Sequence, residues 1–378
     1  MIIFTKDLPT TKILFSNINN VVEFGTDAVI APAKVTIVFL GVTIILYPNP
    51  TGKFYFNFKD WISSKINVDN FRDDLNVNIQ NSGYIYNWTN KVFLNTNIVF
   101  TVTLVNAVTH TATKNVSFIS GQIQLEDFKR KYPINLIINN PFILSAYTDN
   151  ANNKCFFKYW EGYPFDITIY TGSATAMTIT NLSNLLSYNF TGLYIVNRLA
   201  FSDGNTTFTI NNILSIPTGF NELQFTSNTA NYYAEIEKIS DACAGHYIKW
   251  INDFGGWNYW LFGKGNINRR TKDLGEIEND FYNLEDTISP TIQIGKTAND
   301  VLQVTTGTLN SKENILIQSL IESPKIYLFT GQPYAKNNFN DWMEVVLNTS
   351  DIRIQNSRQQ LNDMTLSFEL PVRNTRKL

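Results

Sequence analysis

Apolar and polar positions along this chain follow a two-residue rhythm more often than a helical one, which favours strands over helices. The apolar run "VTIVFLGVTIILY", Val35 to Tyr47, is interrupted by Thr36, Gly41 and Thr43 and reads as two buried strands around Gly41. Further on, "PFDITIYTG" and "FTGLYIVNRLAF" carry long β-rich patterns, and "KIYLF" (Lys325 to Phe329), "WMEVVLN" (Trp342 to Asn348) and "MTLSFELP" (Met364 to Pro371) read as strands. One segment departs from the rule. "SKENILIQSLIESP" places Leu316, Ile317, Leu320 and Ile321 on one helical stripe, with Ser311 as the candidate N-cap and Pro324 as the stop.

The strand pattern contains a repeat. "GKFYFNFKDWIS", Gly52 to Ser63, aligns without gaps to "GNTTFTINNILS", Gly204 to Ser215. Phe56 matches Phe208, Phe58 matches Ile210, Asp60 matches Asn212, Trp61 matches Ile213 and Ile62 matches Leu214. The unit reads as a turn at the glycine, an alternating strand, and a short helical turn with Asp60 or Asn212 as its N-cap. A weaker echo pairs "NNVVEF" (Asn19 to Phe24) with "NNKCFF" (Asn152 to Phe157). Coincidence within a biased composition is the alternative.

From these patterns we expect an all-β protein: tandem Ig-like β-sandwich domains at 1–120 and 133–230, then a C-terminal β-rich domain with a short helix at 231–378. The charged stretch "SGQIQLEDFKRKYP" (Ser120 to Pro133) reads as a helix or linker between the first two. The terminal "PVRNTRKL", with Arg373, Arg376 and Lys377, reads as a loose basic tail.

Composition narrows the function classes. Charged residues make up only 16% of the 378 residues, Asn, Thr and Ser fill the deficit, and the net charge of −2 supplies no field to hold nucleic acid by counterion release. The N-terminal "MIIFTKDLPTTK" interrupts its apolar residues with Lys6 and Asp7, and no apolar run is long enough to span a bilayer. The expectation is synthesis in a cytoplasm, without export by that route and without a membrane partner. Cys155 and Cys243 are the only cysteines, which excludes a disulfide framework and suits two buried thiols.

The densest chemistry lies at "GHYIKWINDFGGWNYWLFGK", residues 245 to 264, with three tryptophans, two tyrosines and two phenylalanines around a Gly-Gly step. "HYIKWI" and "WNYWLF" each alternate as strands, and "NDFGG" connects them as a hairpin loop. Neither face is cleanly polar, so the hairpin is expected to be covered on both sides, by its own domain and by another domain or chain. Tyr247, Trp250, Phe254, Trp257, Tyr259, Trp260 and Phe262 are the candidate core or interface residues. A carbohydrate platform also uses tryptophans, but Asp253 stands alone on the loop, with Glu235, Glu237 and Asp241 upstream, so no carboxylate cluster stands ready to grip hydroxyls.

"CAGHYIKWINDFGGWNYWLF", Cys243 to Phe262, resembles a run found in virion tail and collar proteins of phages that infect Bacteroidetes, including the crAss-like podophages. The duplicated strand-to-turn unit resembles the β-domains that precede it in such proteins. The resemblance implies a virion component assembled in the host cytoplasm: a subunit of a cyclic homo-oligomer, a ring in the tail or neck that contacts other tail or neck proteins. Closed rings need heterologous interfaces, which would give a doubly apolar hairpin a use.

An enzyme, above all a glycan depolymerase, is the competing class. Only His110 and His246 offer imidazole bases, and neither sits in a serine or cysteine signature or forms a metal pair with a second histidine. The acidic groupings "DNFRDD" (Asp69, Asp73, Asp74) and "EIENDFYNLED" (Glu276 to Asp286) read as solvated surface, and their spacing matches no calcium loop. The expectation is therefore no catalytic residue, no cofactor and no metal, with a glycan-binding or glycan-degrading tail module as the alternative.

Overall fold

The structure, a computed structural model, describes residues 1–67, 69–75, 84–122, 136–146, 148–149, 154–205, 210–227, 231–240, 245–263, 265–279, 282, 288–348 and 363–376. The chain forms two compact units. The first comprises Met1–Ser240, Ile251–Asn258 and Gln332–Phe339, and the second Asp241–Trp250, Tyr259–Gly331 and Asn340–Leu378.

The first unit holds two sandwiches. In the first of these, β1 (Ile2–Lys6), β3 (Val21–Thr26) and β6 (Phe54–Asn57) make one sheet in the order β1-β3-β6. The facing sheet has the order β2-β9-β8-β4-β5, from β2 (Ile13–Phe15), β4 (Pro32–Phe39), β5 (Val42–Leu46), β8 (Phe93–Leu104) and β9 (Thr109–Ile119), with β2 parallel to β9. Alternation explains the layering. Ile98, Phe100 and Val102 of β8 point inward and are fully buried, while Asn97, Val99, Thr101 and Thr103 point out. Asn side chains on this outer face bond one another and their neighbours: Asn115 donates to Asn97 (2.8 Å) and Asn95 to Ser117 (2.8 Å). Between the sheets Phe24 stacks on Phe54 (5.4 Å) and meets Phe100 edge-on (5.1 Å). The two strands around Gly41 are present as β4 and β5, but β5 is an edge strand with Ile45 exposed, not a buried one.

The second sandwich repeats the first strand for strand. One sheet contains β10 (Phe142–Ile143), β13 (Pro164–Tyr170) and β16 (Val196–Asp203). The other has the order β11-β12-β18-β17-β14-β15, from β11 (Thr148–Asp149), β12 (Lys154–Trp160), β14 (Ala176–Asn181), β15 (Leu186–Thr191), β17 (Gly219–Thr226) and β18 (Asn231–Ile239). With β10, β12, β13, β14, β15, β16, β17 and β18 in the places of β1, β2, β3, β4, β5, β6, β8 and β9, the shared strands follow the same order in both sheets, including the parallel pair, here β12 with β18, and β11 is an added edge strand. This is the two-sheet order of immunoglobulin-like sandwiches. The fold is all-β with tandem sandwiches.

The duplication therefore stands at the level of topology, while the two sequence echoes divide. Helix α1 (Lys59–Ile66) lies between β6 and β8, α2 (Thr89–Val92) follows it, and α3 (Ile210–Ile213) lies between β16 and β17 in the place of α1. The matched positions Phe58 and Ile210, and Ile62 and Leu214, are fully buried in both copies. The strand half does not coincide, because Gly52 precedes β6 whereas Gly204 follows β16; Phe208 lies outside the described residues. Asp60 is not the N-cap but sits in the first turn of α1, and the Lys59 N–H donates to the Asn57 side chain (3.1 Å). The weaker echo is not structural, since Asn19–Phe24 leads into β3, whose counterpart is β13, whereas Asn152–Phe157 leads into β12.

Both domain boundaries shift. Strand β7 (Ile85–Asn87), from within 1–120, pairs with β16 and so completes a sheet of the second sandwich. Strand β18, expected to open the third domain at 231, pairs with β12 and β17 and closes the second. Most of the Ser120–Pro133 segment lies outside the described residues.

The second unit is built on a seven-stranded sheet in the order β20-β19-β25-β26-β27-β24-β21. Its strands are β19 (His246–Ile251), β20 (Trp257–Phe262), β21 (Asn266–Asp273), β24 (Lys296–Thr305), β25 (Ile326–Phe329), β26 (Trp342–Leu347) and β27 (Thr365–Glu369). Strands β22 (Glu276–Glu278) and β23 (Thr291–Gln293) form a two-stranded ribbon. Helix α4 (Ser311–Ile321) buries Leu316, Ile317 and Leu320 of the expected stripe, while Ile321 at its end is only partly buried. Its N-cap is Asn310 instead of Ser311: Asn310 accepts from the Glu313 N–H (3.0 Å) while the Glu313 side chain accepts from the Asn310 N–H (2.8 Å), a reciprocal capping box. The C-terminal basic segment is not loose throughout, since Arg373 donates to Asp300 (2.8 Å).

Candidate functional site

The aromatic hairpin is β19, its loop and β20, and the structure buries all seven of its candidate residues: Tyr247, Trp250, Phe254, Trp257, Tyr259, Trp260 and Phe262, the most exposed being Tyr259 at 5%. Its loop packs within the first unit and most of its strand residues within the second.

In the loop, Asn252 organises the turn. Its side-chain oxygen accepts from the Phe254 N–H (2.9 Å) and the Gly256 N–H (3.1 Å), and its amide donates to the Leu144 carbonyl (3.0 Å) and to Asn258 (3.1 Å). The Gly-Gly step is required sterically. Gly255 has φ +82, and a Cβ on Gly256 would lie 2.2 Å from the Leu144 carbonyl oxygen. Phe254 meets Phe15 edge-on at 5.6 Å.

Trp257 packs against Trp88 (6.0 Å), whose indole N–H donates to the Gly255 carbonyl (3.2 Å). Over both rings lies the Arg198 guanidinium, 4.8 Å from the Trp88 ring and 5.5 Å from the Trp257 ring. Arg198 is held bidentately by the two oxygens of Asp73 (2.8 and 3.3 Å) and donates two further hydrogen bonds to one oxygen, Oδ2, of Asp166 (2.5 and 3.2 Å), and the three side chains are buried. The sequence reading placed Asp73 on a solvated surface with Asp69 and Asp74. Those two do pair with Lys91 at the surface, but Asp73 turns inward because a buried arginine on the neighbouring fold needs its charge met.

In the second unit the rings divide between the two sides of the sheet. Trp250 donates its indole N–H to Ser319 of α4 (2.9 Å), and Phe262 meets Phe368 at 6.2 Å. Tyr247 stacks with Tyr259 (5.8 Å), and with Phe329 and Trp342 they form an aromatic cluster. Lys249, almost fully buried, places its ammonium 4.1 Å from the Trp342 ring.

The remaining candidates stay apart. His110 and His246 make no side-chain hydrogen bond among the described residues, and burial holds His246 below its ordinary value. Cys155 is buried and Cys243 lies outside the described residues. Glu276 and Glu278 are exposed as expected, on strand β22; part of that acidic segment lies outside the described residues. Burial raises the Tyr159 phenol to about 12 and lifts the Asp203 carboxyl above its ordinary range. Arg198, Trp88, Asp166, Lys249 and Trp342 were not singled out by sequence. The available signal was an arginine inside "VNRLAFSD", a strand whose other positions are almost all apolar or small.

No family model matches the chain, and no curated protein matches it. Among solved structures, it is similar to the fibronectin(III)-like modules of Clostridium thermocellum CbhA at 5% identity, over 63% of this chain and 95% of that one, with a TM-score of 0.20. A titin A168–A169 structure matches at 10% identity over 63% and 99%, with a TM-score of 0.28. A 1.5-MDa bacterial ice-binding adhesin matches at 11% identity over 82% and 92%, with a TM-score of 0.20. Likenesses this low carry no argument, so the fold rests on the strand order itself.

Proposed function

We propose that this chain is a structural virion protein, one subunit of an oligomeric ring in the tail or neck of a phage of the crAss-like, Bacteroidetes-infecting kind, joining neighbouring tail components. At the coarser level it is a structural or adhesive protein made of tandem β-sandwiches. The observation that carries this reading is the use of the aromatic hairpin: its rings are buried, Trp257 against Trp88 and Tyr247 against Tyr259, and Trp250 donates its indole N–H to Ser319 of its own chain, which is the use a cohesive element makes of them. A sugar shelf would need the same rings along an open surface. The resemblance of Cys243–Phe262 to tail and collar proteins supplies the virion setting, and no residue is assigned a catalytic duty.

Light scattering of the purified chain, alone and with the neighbouring tail proteins, tests the reading. A ring, or a species that assembles only with those partners, is the expected result. A monomer that assembles with none of them and depletes a host polysaccharide from solution would overturn it in favour of a glycan-binding or glycan-degrading module.

A further inference from the structure

The outer edge of the seven-stranded sheet carries a segregated charge pattern. Strands β21 and β22 continue one another: Asn266 pairs with Gln303, Asp273 with Lys296, Glu276 with Gln293 and Glu278 with Thr291, all in a single register. At the step between them the Leu274 N–H donates to the Gly295 carbonyl (3.0 Å) and the Ile294 N–H to the Gly275 carbonyl (3.0 Å), so the ribbon turns there without parting. Gly275 and Gly295, at φ 145 and 151, allow that turn. Every residue of β21 and β22 is exposed, and β21 ends the strand order, so this edge has no neighbouring strand among the described residues.

Within the chain some of the edge charges are already met. Arg269 is bound to Asp300 (2.8 Å), and Asp273 to Lys296 (3.4 Å). Arg270 and Lys272 on one half, and Glu276 and Glu278 on the other, take part in no ion pair among the described residues. Ile267, Leu274 and Ile277 lie exposed along the same edge. An unguarded edge is a template for another strand, and two-stranded ribbons that project from a sheet are marginal by themselves. The pattern is cationic, then apolar, then anionic, which is self-complementary when reversed.

We propose that this edge pairs with the same edge of a second copy of the chain, antiparallel, so that the Arg270–Lys272 half of each copy lies against the Glu276–Glu278 half of the other. The contact is isologous, with a two-fold axis near Leu274, and extends one sheet across two copies. It goes beyond the ring reading and does not depend on it, since a ring subunit and a free module could each pair this way. Charged residues on an edge also serve as guards against pairing, and the test separates the two roles.

The experiment is sedimentation velocity on the full chain and two variants, R270E/K272E and E276K/E278K, whose substitutions all fall on exposed positions; circular dichroism and melting confirm that each is folded. The wild type is expected to dimerise. Each variant alone presents like charge to itself and should dimerise at least about tenfold more weakly, whereas an equimolar mixture of the two restores complementary halves and should recover a heterodimer. Raised salt should weaken the wild-type dimer. A wild type that stays monomeric across the concentration series, variants that dimerise as well as the wild type, or a mixture that fails to recover would each overturn the proposal.

Discussion

Replacing Arg198 with methionine is expected to lower the stability of the first unit by about 3–5 kcal/mol, because it leaves Asp73 and Asp166 as two uncompensated carboxylates in a buried site. The triple variant D73N/D166N/R198M should recover much of that loss, since amides carry no charge to strand. Methionine keeps most of the apolar stem of the arginine, so the cost is electrostatic and not a cavity. Urea unfolding followed by indole emission reads the effect directly, because the guanidinium lies over Trp88 and Trp257. A loss below about 1 kcal/mol would mean that water reaches the carboxylates and that the network is a surface pair of ordinary weight.

Trp257→Ala is expected to be comparably severe, about 3–5 kcal/mol, through lost burial and the cavity left beside Trp88. Trp61→Ala is the control. Trp61 is 41% exposed, and its removal should cost under about 1 kcal/mol. The contrast matters more than either value, since both substitutions delete the same side chain. Similar small losses at the two positions would show that the hairpin loop is not packed as described. If Trp257→Ala unfolds the chain outright, Trp257→Phe, which keeps a ring against Trp88, should restore most of the folded population.

The all-β class, the helix at 311–321 and the hairpin at 246–262 were legible because each shows its own periodicity, and periodicity records which face is buried. It does not record the partner. Asn231–Ile239 alternates equally well as the first strand of a new domain or the last of an old one, and only its pairing with β12 and β17 decides. The same blindness hid β7, three residues whose strand character comes entirely from the neighbouring sandwich. At the site, the aromatic residues announced themselves by density, whereas Arg198 and Asp73, 125 positions apart, carry no local sign of one another. Capping was misread by a residue or two in both helices. The N-cap of α1 is Phe58, two residues before Asp60, and that of α4 is Asn310, one before Ser311.

The central claim is that the hairpin's indoles serve cohesion, hidden from solvent. Iodide quenching of tryptophan emission in the Trp61→Phe variant tests it most directly, because Trp61 is the one large exposed indole and Trp342 is only half-buried. The expected result is slight quenching, confined to a minor component from Trp342, and no change when host polysaccharide is added. Quenching of most of the emission, with protection by the polysaccharide, would contradict the account.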